Sequence, residues 1–93
     1  MPYLVYKISN TINHKLYVGS TTLSLEERWA MHCIDVKALH RPASRRPLYV
    51  AMRLHGIQNF TIELLEECPD ESTMYLQEIV WTRKLKSRNK NRR

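Results

Sequence analysis

The sequence predicts a small mixed α/β domain (α+β in layer terms): a sandwich on a three-stranded, mostly antiparallel sheet flanked by helices, in the order β-β-α-α-β-α. Three observations predict it. Two short runs rich in β-formers, residues 3–9 (YLVYKIS) and 15–20 (KLYVGS), are separated only by the polar NTINH, as in a hairpin. Phe60, Ile62 and Leu64 alternate with Thr61 and Glu63, the period of two of a half-buried strand. Helix start and stop signals bracket the segments between and after these strands.

Each element follows in order. In the first strand Tyr6 shares a face with Leu4 and Ile8, and in the second Tyr17 shares one with Gly19. A four-residue loop at 10–13 predicts Tyr6 almost opposite Tyr17. Ser24-Leu25-Glu26-Glu27 has the form of a capping box, so a helix should run from there to about Leu39. Leu25, Trp29, Cys33 and Val36 form its apolar stripe, and Arg28 and His32, at i and i+4, lie together along one edge. His40, Arg41 and Pro42 end it, and RPASRRP is a basic loop. Pro47 suits the first turn of a second helix, LYVAMRLH, and Gly56 its stop. After the third strand Pro69 breaks the chain and Asp70 caps a last helix over roughly residues 71–86. The domain is thus expected over residues 1–86, followed by a basic tail at 87–93, SRNKNRR.

Composition limits the functional classes. A chain of 93 residues with 43% hydrophobic residues, two glycines and four prolines is one globular domain, not a low-complexity segment. It has 15 Lys and Arg against 9 Asp and Glu, and a net charge of +6 favours a polyanionic partner. Cys33 and Cys68 make no disulfide framework and no Cys-x-x-Cys pair. His32, Cys33 and His40 lack the second ligand pair of a zinc site. No apolar run approaches the ~18 residues of a membrane span, and no secretory signal is visible. The expectation is an intracellular protein, in cytoplasm or nucleus.

The last helix holds the most informative residue. Met74, Trp81 and Leu85 share one face, and Glu78 falls on it too. Burying a carboxylate among apolar neighbours is costly unless something compensates. Either Glu78 sits at the margin and reaches water or an arginine, or it is an acid held at a cleft to bind a metal ion. Taken singly, Arg28 reads equally well as a solvated helix arginine, the tyrosines as strand packing, and His32 as a surface or hydrogen-bonded histidine.

The combination is more specific. Leu4-Val5-Tyr6, then Tyr17-Val18-Gly19, then Arg28 in LEERW, His32 four residues on, and Glu78 three residues before Trp81 resemble the GIY-YIG nucleases in order, spacing and type. The resemblance covers residues 3 to about 86. Its texture is that of the catalytic domains of intron-type homing endonucleases and their phage or viral relatives. Leu4 stands where the first motif has glycine. The asparagine that often follows the family's last helix has only Asn89 or Asn91 as counterparts.

The resemblance implies a metal-dependent DNA endonuclease that hydrolyses phosphodiester bonds by a one-metal mechanism. Glu78 would hold Mg²⁺, with Mn²⁺ able to substitute; Mg²⁺ often takes one or two carboxylates and completes its shell with water and phosphate. Arg28 would bring a permanent charge and forked donors to the phosphate. A free tyrosine, with a pKa of about 10, is a poor base at neutral pH, but a neighbouring cation favours its phenolate. Tyr6 is then the base or water-positioner, Tyr17 orients water and phosphate, and His32 relays the proton, with the choice among the three open. Gly19 would keep the cleft floor uncrowded.

The basic segments fit a DNA track. Arg41, Arg45 and Arg46 mark the loop, and Lys84, Lys86 and Arg88 begin the C-terminal run. Such charges supply affinity with little sequence choice. The expected partner is DNA, duplex or branched, with a homodimer or a separate targeting domain or protein supplying specificity. Two other readings compete: a non-cleaving nucleic-acid-binding module on a nuclease fold, and a small basic RNA- or ribosome-binding protein, whose usual stacking aromatics are absent.

Overall fold

A computed structural model describes residues 2–39 and 46–90. The order of elements is the one expected: β1 (Leu4–Asn10), β2 (Leu16–Thr21), α1 (Leu25–Lys37), α2 (Pro47–His55), β3 (Phe60–Glu67) and α3 (Glu71–Lys90). The strands form one antiparallel sheet in the order β2-β1-β3. The chain therefore places its first strand at the centre, where Val5 and Ile8 are fully buried on opposite faces. Each such aliphatic contributes about 1.5–3 kcal/mol by leaving water.

The hairpin register differs from the expectation. Tyr6 pairs with Gly19, and Tyr17 with Ile8. The loop does hold four residues, but it is displaced by one, to 11–14, and is closed by the Asn10 N–H donating to the Lys15 carbonyl at 3.0 Å. Two asparagine side chains fix it. Asn10 Oδ1 accepts from the Ile12 N–H at 2.8 Å, and Asn13 Oδ1 from the Lys15 N–H at 3.0 Å, the local bonding that favours Asn in turns. His14 takes the left-handed conformation, φ 64°. A shift of one loop position moves the pairing by two residues, so both tyrosines keep their face but stand diagonally.

On one face α1 and α2 cover Tyr6, Ile8 and Phe60 with Val36, Tyr49 and Met52. On the other, Met74 of α3 packs with Val5 and Cys68, joined by Val18, Leu65 and Trp81. A bulge between Val5 and Tyr6 inserts Leu65 as an extra residue in β3, which brings Leu65 to the α3 side. Both cysteines are free.

The helix ends follow local chemistry. Ser24 Oγ accepts from the Glu27 N–H at 3.1 Å while Glu27 reaches back to the Ser24 N–H, so the capping box is formed; such a cap contributes about 1 kcal/mol. Helix α1 ends at Lys37 rather than about Leu39, with the Ala38 N–H turned to the Asp35 carbonyl. Gly56 stops α2 at φ 89°, a conformation that favours glycine. Asp70 Oδ1 accepts from the Thr73 N–H at 2.7 Å and caps α3 as expected. That helix runs to Lys90, beyond the expected 86, because SRNK contains neither proline nor glycine to break it. Among the described residues no helix is long and apolar enough to cross a membrane.

Candidate active site

The sheet register builds the floor of the site. Tyr6 and Gly19 are cross-strand partners, and the Tyr6 ring lies directly across Gly19: a Cβ there would stand 2.6 Å from the phenol oxygen. The glycine is needed for this close approach, a more specific reason than an uncrowded floor. Tyr6 itself is only 3% exposed.

Helix α1 supplies the next residues. Arg28 and His32 share an edge, as their spacing requires, and both meet Tyr6. Arg28 Nε donates to the Tyr6 hydroxyl at 3.3 Å, and that hydroxyl lies 2.9 Å from His32 Nε2. His32 is 3% exposed, deeper than Cys33, which the apolar stripe had placed inward. Periodicity ranks side chains by hydrophobicity, so it missed a histidine whose two ring nitrogens are both hydrogen-bonded.

Glu78 arrives from α3, on the other side of the sheet. It reaches the cleft at the edge strand β2, where Ser20 Oγ donates to its Oε1 at 2.5 Å. Met74 and Leu85 are buried, as the helical stripe predicts, and Glu78 is half-buried at its margin. The cleft encloses about 350 Å³ and is lined by Tyr6, Tyr17, Gly19, Arg28, His32 and Glu78, with Ser20 and Arg46 at its walls. All five proposed catalytic positions and the glycine thus meet in one cavity.

Electrostatics separates the phenols from the imidazole. Burial pushes the Tyr17 phenol above its ordinary pKa, which keeps it neutral. Burial first, then the Arg28 and Arg46 charges, push His32 down to about 4 from 6.5, with Asp35 opposing. His32 is therefore neutral at working pH, so one of its two hydrogen-bonded ring nitrogens is a donor and the other an acceptor. The unfolded chain binds a proton on this imidazole between about pH 6.5 and pH 4 that the folded chain does not. Stability contributed by the neutral histidine is complete above that window and falls as pH drops through it, by on the order of 1–3 kcal/mol. Thermal unfolding followed from pH 7 to pH 4 should show this loss, and His32→Gln should flatten it; an unchanged slope in the variant would assign the acid lability elsewhere.

Of the basic residues, Arg46 lines the cleft. Lys84 stands over the Trp81 ring at 5.0 Å, away from the cleft lining. Arg41 and Arg45 lie outside the described residues, as do the side chains of Lys86, Arg88 and Asn89 and the whole of Asn91. His40 of the excluded zinc grouping also lies outside them.

The donor set suits a hard cation. Among the described residues no three His, Cys, Asp or Glu side chains cluster, so a zinc-like cage is absent there. A lone carboxylate at an open cleft beside a hydroxyl matches Mg²⁺, which keeps most of its water.

Sequence reading missed Tyr49, Asp35 and Ser20. Tyr49, 1% exposed, places its hydroxyl 2.7 Å from His32 Nδ1 and donates to Asp35 Oδ2 at 3.5 Å. In α2 it looks like a core aromatic, three residues before buried Met52; only its pairing across helices shows otherwise. Ser20 follows directly on Gly19, and its adjacency was the one available signal.

Comparison with known proteins shows the family. Residues 2–92 match the model of the GIY-YIG catalytic domain. Intron-associated endonuclease 1 of Enterobacteria phage T4 is 36% identical over 86 residues, 90% of this chain and 33% of that protein. Protein 146R of Invertebrate iridescent virus 6 is 43% identical over 63 residues, 68% of this chain and 24% of that protein. The chain thus spans a quarter to a third of the length of these relatives. The solved catalytic domain of homing endonuclease I-TevI superposes with a TM-score of 0.75 at 30% identity, covering 91% of this chain and 89% of that one.

Proposed function

The chain belongs to the GIY-YIG family of catalytic domains, and from that premise we propose that it is a Mg²⁺-dependent DNA endonuclease that hydrolyses phosphodiester bonds by water attack. The observation that carries this reading is the convergence of Tyr6, Tyr17, Arg28, His32 and Glu78 on one cleft from four separate elements.

The residues divide the work. The Arg28 guanidinium, already aimed at the Tyr6 hydroxyl, offers its remaining donors to phosphate oxygens. Neutral Tyr17 donates to water or phosphate and limits their orientation. The Tyr6 oxygen takes the proton of the attacking water, and neutral His32 stands behind it as acceptor. Glu78 would hold the Mg²⁺, with Ser20 fixing one carboxylate oxygen; when bound, that ion supplies charge stabilisation for the departing oxygen. Arg46 at the wall and the net charge of +6 favour a polyanion. One cleft cuts one strand at a time, so double-strand scission takes a second copy or a second event.

Incubation with supercoiled plasmid and branched duplexes tests this. Nicking in Mg²⁺ should cease with chelator and return on adding Mg²⁺ or Mn²⁺. Salt-sensitive binding without cutting, on duplex, branched and single-stranded DNA in every metal, would overturn it and make the chain a binding module.

A further inference from the structure

The site continues behind His32. The imidazole lies between two phenols, with ring centroids 6.0 Å from Tyr6 and 5.6 Å from Tyr49, both edge-on at 66°. Its Nε2 meets the Tyr6 hydroxyl and its Nδ1 the Tyr49 hydroxyl, whose proton is directed to Asp35. We propose that Tyr49, anchored by Asp35, is a positioning residue that holds His32 as its Nδ1–H tautomer, so that Nε2 presents a lone pair to Tyr6 and Tyr6 becomes the phenol that handles the proton.

Proton counting supports this direction. If Tyr49 donates to the Asp35 carboxylate, its oxygen is left to accept, and His32 Nδ1 must then carry the hydrogen. Nε2 is thereby an acceptor, and the Tyr6 hydroxyl, which accepts from Arg28, donates its one hydrogen to Nε2. Every group in the chain Arg28, Tyr6, His32, Tyr49, Asp35 is then satisfied in one direction. The reverse order has Tyr49 donating to Nδ1, which sets its lone pairs against those of the carboxylate and leaves Asp35 without that donor. A hydrogen bond on one ring nitrogen fixes the role of the other.

The consequence for hydrolysis rests on the function proposed above. As the water oxygen bonds to phosphorus, a water proton passes to the Tyr6 oxygen while the Tyr6 hydroxyl proton passes to His32 Nε2. The phosphorus bond to the leaving oxygen breaks, and that oxygen takes a proton from solvent. His32 becomes an imidazolium whose Nδ1–H remains bonded to Tyr49, with Asp35 behind it. Among the described residues, the groups facing His32 are Tyr6 from β1, Arg28 and Asp35 from α1, and Tyr49 and Arg46 from α2 and its cap. Burial and the two arginines oppose the new charge, and Asp35 counters them in part.

Two readouts on the full chain test this. Long-range ¹H–¹⁵N spectra of histidine-labelled protein at neutral pH should show His32 as Nδ1–H in the wild type and shifted toward Nε2–H in Tyr49→Phe. With plasmid and Mg²⁺, Tyr49→Phe should lower kcat by roughly 10–100-fold at unchanged KM, as for other groups that orient a reacting residue. Asp35→Asn, at a half-exposed position, should produce the same shift to a smaller degree, and it decides the matter if Tyr49→Phe does not fold. Nε2–H in the wild type, or variants that keep the wild-type tautomer and kcat, would overturn the proposal. Should the wild type cut no DNA, the hydrolytic reading fails, while the spectra still decide the tautomer.

Discussion

Purified Glu78→Ala protein should fold, bind DNA and cut neither strand in Mg²⁺, a fall in kcat of at least about 10³-fold, matching the several kcal/mol that a bound metal ion supplies to a phosphoryl-type transition state. The expectation is this large because nothing stands in for the carboxylate: among the described residues, no second acid lines the cleft. Glu78→Gln separates charge from shape. It keeps a partner for the Ser20 hydroxyl, now bonded at 2.5 Å, but removes the negative charge, and it should be as inactive as the alanine variant. Removing the side chain strands the Ser20 hydroxyl and should cost only about 1 kcal/mol of stability. Plasmid nicking beside a thermal melt measures both. Cleavage by Glu78→Ala at the wild-type rate would refute the role of this glutamate.

Gly19→Ala should be nearly as damaging, though it adds one methyl and changes no charge. The new carbon would stand 2.6 Å from the Tyr6 oxygen, 2.8 Å from Cζ and 3.2 Å from Cε1. A tyrosine at the surface would swing aside at little cost. Tyr6 is 3% exposed and tethered through its hydroxyl to His32 and Arg28, so its displacement breaks both bonds. Overpacking of this kind costs about 1–3 kcal/mol, and misplacing a reacting group by an ångström costs about 10²-fold in rate. The variant should therefore melt at lower temperature, keep its fold at 25 °C, and cut DNA roughly 10²-fold more slowly at saturating substrate. Wild-type kcat in Gly19→Ala would mean that the Tyr6 hydroxyl position is not critical.

Much of this arrangement was legible in the residues. Strand runs, the Ser24 capping box, Pro47 and Gly56 set the elements, because those signals act over a few residues of backbone. Arg28 and His32 sit one helical turn apart, so their shared edge follows from α-helical geometry alone. From its own helix Glu78 reads as a choice between a solvated margin and a metal site, and only the family resemblance implies the metal; its strand partner Ser20 lies 58 positions away.

The sequence by itself determined the order of elements, the capped helix boundaries and the residue types of a GIY-YIG cleft, because these depend on local propensity and fixed spacing. Tertiary structure decided the rest. The hairpin register turned on two asparagine side chains that moved the loop by one position and put Gly19, not Tyr17, beneath the Tyr6 ring. Glu78 joined the cleft because α3 packs along the edge strand, and Tyr49 came to stand behind His32 because α2 lies against α1 over the same face of the sheet. Hydrogen bonds between residues far apart in sequence have no local signature, and those bonds select which two phenols touch the histidine.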